Sequence, residues 1–207
     1  MARTKSSRRW LDRQFSDPYV KRAQLEGYRS RAAYKLLELQ DKDRLLSPGM
    51  RVVDLGAAPG SWSQIAARLV GGRGQVFALD LLAMDPLPGV QSLTGDFREP
   101  EVLAALREQL GDAPVDLVLS DMSPNISGTA AVDQPRTAYL VELALELARE
   151  TLKPGGALVV KTFQGEGFDQ MLRGLRADFA VVANRKPQAS RPASRELYLV
   201  AKGFRAK

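Results

Sequence analysis

Four charged residues are the candidates for proton transfer in this chain. Asp121 follows the fourth of the strands predicted below, Lys161 lies in the fifth, and Glu196 begins the last. Lys35 lies on the first predicted helix. The sequence contains no histidine and no cysteine, so the commonest general base and the thiolate nucleophile are both absent. Proton transfer therefore falls to lysine, aspartate, glutamate or tyrosine.

Lysine acts as a base only when its surroundings favour the neutral amine. A free lysine has a pKa of about 10.4, and burial beside a second ammonium brings lysine pKa values toward about 7–8. Lys35 is the candidate for that second charge beside Lys161, whereas Asp121 and Glu196 favour the ammonium and so serve to position it. Each residue also has an alternative role. Lys161 could extend from the strand end to solvent, Glu196 could pair with Arg195, and Lys35 could contact a phosphate.

A glycine turn follows the first predicted strand and predicts a ligand site. Arg51–Leu55 runs directly into Gly56–Gly60, and a helical pattern begins at once. Ligands of open α/β sheets lie at the carboxyl ends of the strands, but this spacing does not match the dinucleotide pattern, which disfavours a nicotinamide dehydrogenase. Asp80 ends the second strand, where an acid commonly receives ribose hydroxyls. Asp96 and Phe97 end the third strand, where a carboxylate could accept a hydrogen bond from the exocyclic amine of adenine and an aromatic ring could contact the base. The order of these residues favours a nucleoside site.

The elements that position these residues alternate between strand and helix. Short apolar runs predict strands at Arg51–Leu55, Gln75–Asp80, Val90–Thr94, Val115–Ser120 and Gly156–Phe163, and a closing antiparallel pair at Phe179–Asn184 and Glu196–Ala201. Helical patterns cover Ser30–Leu46, Ser63–Val70, Glu99–Leu110, Pro135–Leu152 and roughly Gly167–Arg176. We therefore predict an α/β fold: a mostly parallel seven-stranded sheet with a C-terminal antiparallel hairpin and helices on both faces.

Charge is distributed unevenly along the chain. The formal net charge is +6, but residues 1–35 carry +7, residues 36–183 carry −7 and residues 184–207 carry +6. Two basic ends suit a polyanion, and the cations of residues 17–35 alternate with tyrosines, a pattern that suits phosphates and unstacked bases. For the first dozen residues a disordered tail is an equal alternative. Arg191 and Arg195 are further candidates for phosphate contacts, with a solvated loop as the alternative.

Length and composition limit the organisation. The 207 residues, 44% of them apolar and 26% charged, predict a single globular domain at 29–207 preceded by a basic, partly flexible arm at 1–28. No run of about 20 apolar residues is present and the first residues lack an apolar signal core, so we expect a cytoplasmic protein with no membrane contact. We also expect a monomer without a metal site.

Four segments of the sequence are similar to one known family. They are Asp54–Gln64, Ser120–Asn125, Val160–Gly167 and Ser194–Tyr198. Together they resemble the FtsJ-type (RrmJ-type) ribosomal RNA 2′-O-ribose methyltransferases, and the likeness extends from about Trp10 to Gly203. The one departure noted is Ser61, where the family usually has glycine.

The resemblance implies a fold, a cofactor and an activity. It implies the Rossmann-like methyltransferase fold and S-adenosyl-L-methionine, held by Gly60, Trp62, Asp80, Asp96 and Asp121. It also implies that Lys35, Asp121, Lys161 and Glu196 form the catalytic set. Its bacterial members methylate a uridine of 23S ribosomal RNA, in the aminoacyl-tRNA-binding loop of the large ribosomal subunit.

The residues themselves narrow the methyl acceptor. Methylation at pyrimidine carbon 5 needs a thiolate, which this chain lacks. The segment Asp121–Asn125 does not have the Asn/Asp-Pro-Pro-aromatic pattern typical of enzymes that methylate exocyclic nitrogens. A ribose 2′-hydroxyl is the common acceptor that remains. A transfer RNA or messenger cap substrate is the first alternative, and a non-catalytic RNA-binding assembly factor is the second.

Overall fold

The fold is built around a seven-stranded sheet with the order β3-β2-β1-β4-β5-β7-β6. The computed structural model describes residues 17–125, 127, 129–165, 167–191 and 194–206. The strands are β1 (Arg51–Leu55), β2 (Gln75–Asp80), β3 (Val90–Thr94), β4 (Val115–Ser120), β5 (Leu152–Phe163), β6 (Phe179–Arg185) and β7 (Glu196–Phe204). Strands β1 to β5 pair in parallel, whereas β7 is antiparallel to β5 and β6. The predicted fold class is therefore confirmed.

Helices cover both faces of the sheet. Over the described residues they are α1 (Pro18–Leu25), α2 (Ala33–Asp43), α3 (Ser61–Val70), α4 (Pro100–Leu110), α5 (Ala130–Thr151) and α6 (Phe168–Asp178). Neighbouring strand residues point to opposite faces. On β4, Val118 packs with the cluster that contains α4, α5 and α6, whereas Leu117 and Leu119 pack with α2 and α3. Apolar side chains on both faces account for the continuous apolar runs of these strands.

Most element bounds agree with the predictions, and the exceptions have local causes. Strands β1 to β4 have the predicted bounds. Strand β5 begins at Leu152 rather than Gly156, because Leu152 already pairs with Val115 of β4 before the register shifts to the Leu117–Ala157 pair. Helix α5 begins at Ala130 and includes Pro135 in its interior. Helix α2 ends at Asp43 because Arg44 adopts a left-handed conformation with φ 53°.

Helix α1 lies within the predicted N-terminal arm and was not anticipated. Asp17 caps it by accepting a hydrogen bond from the backbone N–H of Tyr19 at 3.0 Å. Its one buried residue, Ala23, packs against Tyr34 and Ala189. Residues 18–25 of the arm are therefore folded against the body, while residues 1–16 lie outside the described residues. The domain boundary at residue 28 stays a prediction.

A helix that crosses a membrane needs about 20 consecutive apolar residues. None of the helices formed by the described residues is long and apolar enough to cross a membrane.

Candidate active site

The glycine turn brings the first and fourth strands together at the carboxyl edge of the sheet. Gly56 has φ +73°, and a Cβ built there would lie 2.8 Å from the backbone nitrogen of Met122. Gly60 has φ +103° and precedes the first turn of α3. Such angles strongly favour glycine, and the close approach at Gly56 leaves no room for a side chain. The turn therefore fixes where the loops after β1 and β4 meet.

A cavity of about 580 Å³ opens at this edge. Its walls are the loops after β1 to β4 together with one side of α5. The lining residues include Gly56, Ala58, Asp80, Leu81, Asp96, Phe97, Arg98, Asp121, Met122, Arg136 and Tyr139. This position, at the carboxyl ends of parallel strands, is where open α/β folds bind ligands.

Three of the five residues predicted to hold a cofactor line the cavity. Asp80 accepts hydrogen bonds from the backbone N–H groups of Ala58 at 2.9 Å and Leu82 at 2.8 Å. Asp96 accepts a bond at 2.9 Å from Nε of Arg98, and the hydrogen bonds from that arginine hold the pKa of Asp96 below its ordinary value. Asp121 is the third. Carboxylates at three strand ends give the cavity acceptors for hydroxyl and amine groups.

The other two predicted cofactor residues do not line this cavity. Trp62 is buried, donates from Nε1 to the carbonyl oxygen of Ala32 at 2.9 Å, and lies 5.5 Å from the ring of Tyr198. A Cβ built on Gly60 would point at the guanidinium of Arg29. A direct cofactor contact from either residue stays a prediction.

Ser61, the departure from the family pattern, does not strain the backbone. It is the first residue of α3, and among the described non-glycine residues only Arg44 has a positive φ. Its Oγ lies 2.7 Å from Oγ of Ser30, within hydrogen-bonding distance. The side chain thus joins the helix to the segment that precedes α2, rather than capping the helix.

The predicted catalytic residues form two ion pairs. Nζ of Lys161 lies 3.0 Å from Oδ1 of Asp121 and donates to the backbone carbonyl of the same residue at 3.1 Å. Nζ of Lys35 lies 2.7 Å from Oε1 of Glu196. Both lysine side chains are only about a tenth exposed, at 11% and 10%. The positive charge of Lys35 is therefore paired with Glu196, so Lys35 does not supply an unpaired positive charge beside Lys161.

Tyr198 joins the two pairs, and sequence analysis assigned it no role. Its hydroxyl donates to Oδ1 of Asp121 at 2.6 Å, and Nζ of Lys35 lies 5.8 Å from its ring centroid. Tyr198 is paired directly with Lys161 in the antiparallel ladder, and it lies two residues after Glu196 on β7. Paired residues and residues two apart on a strand share one face of the sheet, so strand geometry brings Lys161 and Glu196 next to Tyr198. That spacing is the signal that could have identified it.

Burial and charge set the ionisation of this cluster. Burial opposes ionisation of Glu196, but the Lys35 ammonium, with help from Lys161, holds its pKa below the ordinary value. Burial, followed by the charges of Asp121 and Glu196, raises the pKa of Tyr198 well above its ordinary value. The cluster therefore contains an ionised glutamate and a neutral phenol that donates a hydrogen bond to Asp121.

Replacing Tyr198 with Phe is expected to lower the free energy of unfolding by about 1.5–3 kcal/mol, the usual range for a hydrogen bond to a charged group. Urea denaturation measures this change. Tyr139→Phe is the control, since that tyrosine is 49% exposed, and it should change stability by less than about 0.5 kcal/mol. Equal effects of the two substitutions would contradict the structural importance of the bond to Asp121.

Asp54 is buried beside the cavity and was not predicted as a site residue. Its Oδ2 accepts a hydrogen bond from the Ser63 hydroxyl at 2.6 Å, while Oδ1 has no partner among the described residues. Burial raises the pKa of Asp54 to about 7, against the effect of Ser63 and with added repulsion from Asp121 and Asp80. A carboxyl at the end of β1 is thus nearly balanced between its two protonation states at neutral pH.

The basic residues beside the site are partly neutralised. Asp17 forms ion pairs with Nε of Arg31 at 3.1 Å and Nε of Arg191 at 3.7 Å. Arg195 is exposed next to Glu196. Cations therefore lie beside the proposed catalytic residues, and their contacts with phosphates stay predictions.

No group of three or more carboxylates that could hold a metal ion occurs in the described part of the chain.

Comparisons with known proteins identify the family. The FtsJ-like methyltransferase model matches residues 28–204. The chain is 60% identical, over 205 residues and 99% of both chains, to the ribosomal RNA large subunit methyltransferase E of Pseudomonas aeruginosa, and 59% identical over the same shares to that of Pseudomonas paraeruginosa. A Plasmodium falciparum crystal structure named as a ribosomal RNA methyltransferase superposes with TM-score 0.79 at 31% identity, covering 87% of this chain and all of the other. This chain belongs to the FtsJ-like methyltransferase family.

Proposed function

We propose that this chain transfers a methyl group from S-adenosyl-L-methionine to the ribose 2′-hydroxyl of a uridine in 23S ribosomal RNA, within the aminoacyl-tRNA-binding loop of the large subunit. The relatives with 59–60% identity are named for methylation of large-subunit ribosomal RNA. The observation that carries the proposal is the Lys161–Asp121 ion pair beside an acid-lined cavity. We also propose that the enzyme works as a monomer on ribosomal subunits in the cytoplasm.

The cavity residues fit S-adenosyl-L-methionine. In this proposal Asp80, at the end of β2, accepts the ribose hydroxyls, and Asp96 with Phe97, after β3, contacts the adenine; all three line the cavity, which supports these roles. Asp80 and Asp121 bring carboxylate oxygens to this edge of the sheet, and carboxylates suit a sulfonium cation. When bound, the cofactor would supply an electrophilic methyl carbon for the ribose oxygen, with its sulfur as the leaving group.

The chain's own residues handle the proton of the acceptor hydroxyl. Lys161 accepts or directs that proton as the oxygen becomes a nucleophile. Asp121 and the Tyr198 hydroxyl hold the Lys161 side chain in place through the contacts described above. Much of the acceleration comes from this positioning, because an aligned pair of reactants about 3–3.5 Å apart gains several kcal/mol over free reactants.

Lys35 and Glu196 position the same centre from its other side. Their ion pair connects α2 with the start of β7, so it holds the N-terminal segment against the strand that carries Tyr198. Removing one partner would leave a buried charge without compensation, which typically costs about 3–5 kcal/mol. We therefore assign this pair a positioning role in the proposed reaction.

Radiolabelled methyl transfer to large subunits purified from cells that lack this methylation tests the proposal. Incorporation should appear in one ribonuclease fragment, and mass spectrometry of that fragment should place the methyl group on a uridine ribose. Transfer should decrease steeply with added salt, since the basic residues displace counterions from phosphates. No incorporation at any salt concentration would instead favour a non-catalytic RNA-binding factor. Incorporation into transfer RNA or capped messenger alone would move the substrate to those RNAs.

A further inference from the structure

Arg29 makes an unusual set of contacts for a residue in a basic arm. It lies between α1 and α2, and its side chain is bonded to three backbone carbonyl oxygens. Nη1 donates to Pro59 at 2.9 Å and to Asp85 at 2.8 Å, and Nη2 donates to Pro86 at 2.9 Å. We infer that Arg29 is a positioning residue that sets the spacing of the two loops forming the cofactor cavity. The inference rests on the proposed function for the identity of the cofactor.

The two loops bonded to Arg29 both contribute residues to the walls of the cavity. Pro59 belongs to the glycine turn, which lines the cavity through Gly56 and Ala58. Asp85 and Pro86 belong to the loop after β2, which lines the cavity at its start through Asp80 and Leu81. One guanidinium thus connects both loops a few residues beyond their lining positions. A change in its position would alter the separation of the walls.

A second hydrogen bond connects the same two loops at the cavity itself. The backbone N–H of Ala58 donates to Oδ2 of Asp80, the carboxylate proposed to receive the cofactor ribose. Pro59, the neighbour of Ala58, is the residue whose carbonyl Arg29 holds. Displacing the Pro59 carbonyl would therefore change the orientation of the Ala58 N–H and of Asp80. This connection explains how Arg29 can act on the cofactor without touching it.

Gly60 makes room for the guanidinium. A Cβ at this position would lie 2.9 Å from Nη1 of Arg29 and 3.0 Å from Cδ1 of Leu87. The contact is closer than a side chain tolerates, so the arginine is packed against the glycine turn. This packing gives Gly60 a function that does not need direct contact with the cofactor.

The backbone of Arg29 is itself held in place. Its N–H donates to Oε1 of Gln64 at 3.2 Å, and Nε2 of Gln64 donates to the carbonyl oxygen of Gly27 at 2.8 Å. The Ser30–Ser61 contact follows immediately along the chain. The guanidinium therefore extends from a fixed segment, and several N–H groups in a planar fork are needed to reach three carbonyls at once.

Phosphate binding is the competing role for Arg29, since the sequence places it among cations that suit RNA. The two roles differ in what a lysine can replace. A phosphate contact needs a point charge, which Lys supplies, whereas three separate carbonyls need the arginine fork. The two roles also differ in which affinity changes when Arg29 is replaced. Loss of the loop contacts would weaken cofactor binding, whereas loss of a phosphate contact would weaken RNA binding.

The experiment compares Arg29→Ala and Arg29→Lys with the wild type. Calorimetric titration with S-adenosyl-L-methionine, without RNA, should show a dissociation constant about tenfold higher for both variants, the effect of losing about 1.4 kcal/mol. In steady-state methylation the KM for the cofactor should rise while kcat at saturating cofactor stays within about threefold, as for loss of uniform binding. Circular dichroism shows whether each variant is folded. If Arg29→Ala is unfolded, the same comparison is made with Arg29→Lys alone.

Arg68→Ala is the matched control. Arg68 is another arginine of this surface, and its Nη2 donates to the Tyr28 hydroxyl at 3.1 Å. It is bonded to neither loop of the cavity in the contacts described here, so its removal should leave the dissociation constant for the cofactor unchanged.

Two results would overturn the inference. One is unchanged cofactor affinity in Arg29→Ala. The other is a raised KM for RNA with a weaker salt dependence that Arg29→Lys restores, which would assign the residue to phosphate binding. Failure of the proposed function is distinguishable, because the titration needs no RNA. Cofactor binding without methylation of any RNA would overturn the proposed function alone, and no cofactor binding by the wild type would overturn both.

Discussion

Replacing Lys161 with Ala is expected to lower kcat for methyl transfer by roughly a thousandfold, within the range that a positioned acid or base contributes. The dissociation constant for S-adenosyl-L-methionine should stay within about twofold of the wild-type value, because Lys161 is not among the residues that line the cavity. Single-turnover methylation with saturating cofactor and RNA measures the first quantity, and calorimetric titration the second.

The separation of these two effects follows from the contacts of Asp121. This carboxylate lines the cavity, and it also accepts the hydroxyl of Tyr198. When Lys161 is shortened to Ala, that hydrogen bond remains and keeps Asp121 in position. The loss is therefore confined to the Lys161 amino group and to its role in accepting or directing the proton of the acceptor hydroxyl.

Lys153→Ala provides the matched control. Lys153 lies on the same strand, β5, near its opposite end, is 47% exposed and pairs with Asp116. The Lys153→Ala substitution should therefore leave kcat unchanged. Lys161→Arg retains a positive charge but not an amine that readily gives up a proton, so activity near that of the alanine variant would indicate proton transfer. Turnover of Lys161→Ala within about tenfold of the wild type would contradict the assignment.

The sheet was predictable because its strands have strong local signals. β1 to β4 are short apolar runs bounded by glycine, aspartate or serine, and the candidate acids follow directly at their carboxyl ends. The start of β5 was wrong for a physical reason. Residues 153–156, Lys-Pro-Gly-Gly, have turn chemistry, and Gly155 has the positive φ of +81° that such a turn favours. Leu152, before them, nevertheless pairs with Val115 of β4, so the four residues form a bulge inside the strand and the strand begins earlier than predicted.

Helix α1 shows the limit of local patterns. A single residue of this helix, Ala23, is buried, and its partners include Ala189, more than 160 residues away in the sequence. Nothing in an eight-residue charged segment indicates that contact. Asp17 and Pro18 are a local signal for the start of this helix, but its packing against the body depends on that distant contact.

The pairing within the catalytic set was also beyond the sequence. Strand ends bring Asp121 and Lys161 to one edge, but they do not show that Lys35 from α2 reaches Glu196. The same holds for Arg29, whose acceptors are backbone carbonyls with no residue-type signature. Side-chain reach across elements depends on helix placement, which residue spacing does not determine.

Asp54 gives a second large expected effect, on stability rather than on turnover. Burial raises its pKa from the ordinary value of 3.8 to about 7 in the folded state. Below pH 4 the carboxyl is protonated in both the folded and the unfolded chain. Between about pH 4 and pH 7 the folded chain keeps the proton and the unfolded chain has lost it, so the free energy of unfolding falls as pH rises. Above pH 7 both states are ionised and the loss is complete.

Asp54→Asn should remove this pH dependence, because the amide has nearly the same shape and its oxygen can still accept the Ser63 hydroxyl. At about 1.4 kcal/mol per pKa unit, the stability of the variant relative to wild type should increase by on the order of 4 kcal/mol between pH 4 and pH 8. Urea denaturation of the cofactor-free chains across that range measures the difference. Asp112→Asn, at an exposed position after α4, should run parallel to the wild type. Parallel curves for Asp54→Asn as well would show that the buried carboxyl does not hold its proton in the folded chain.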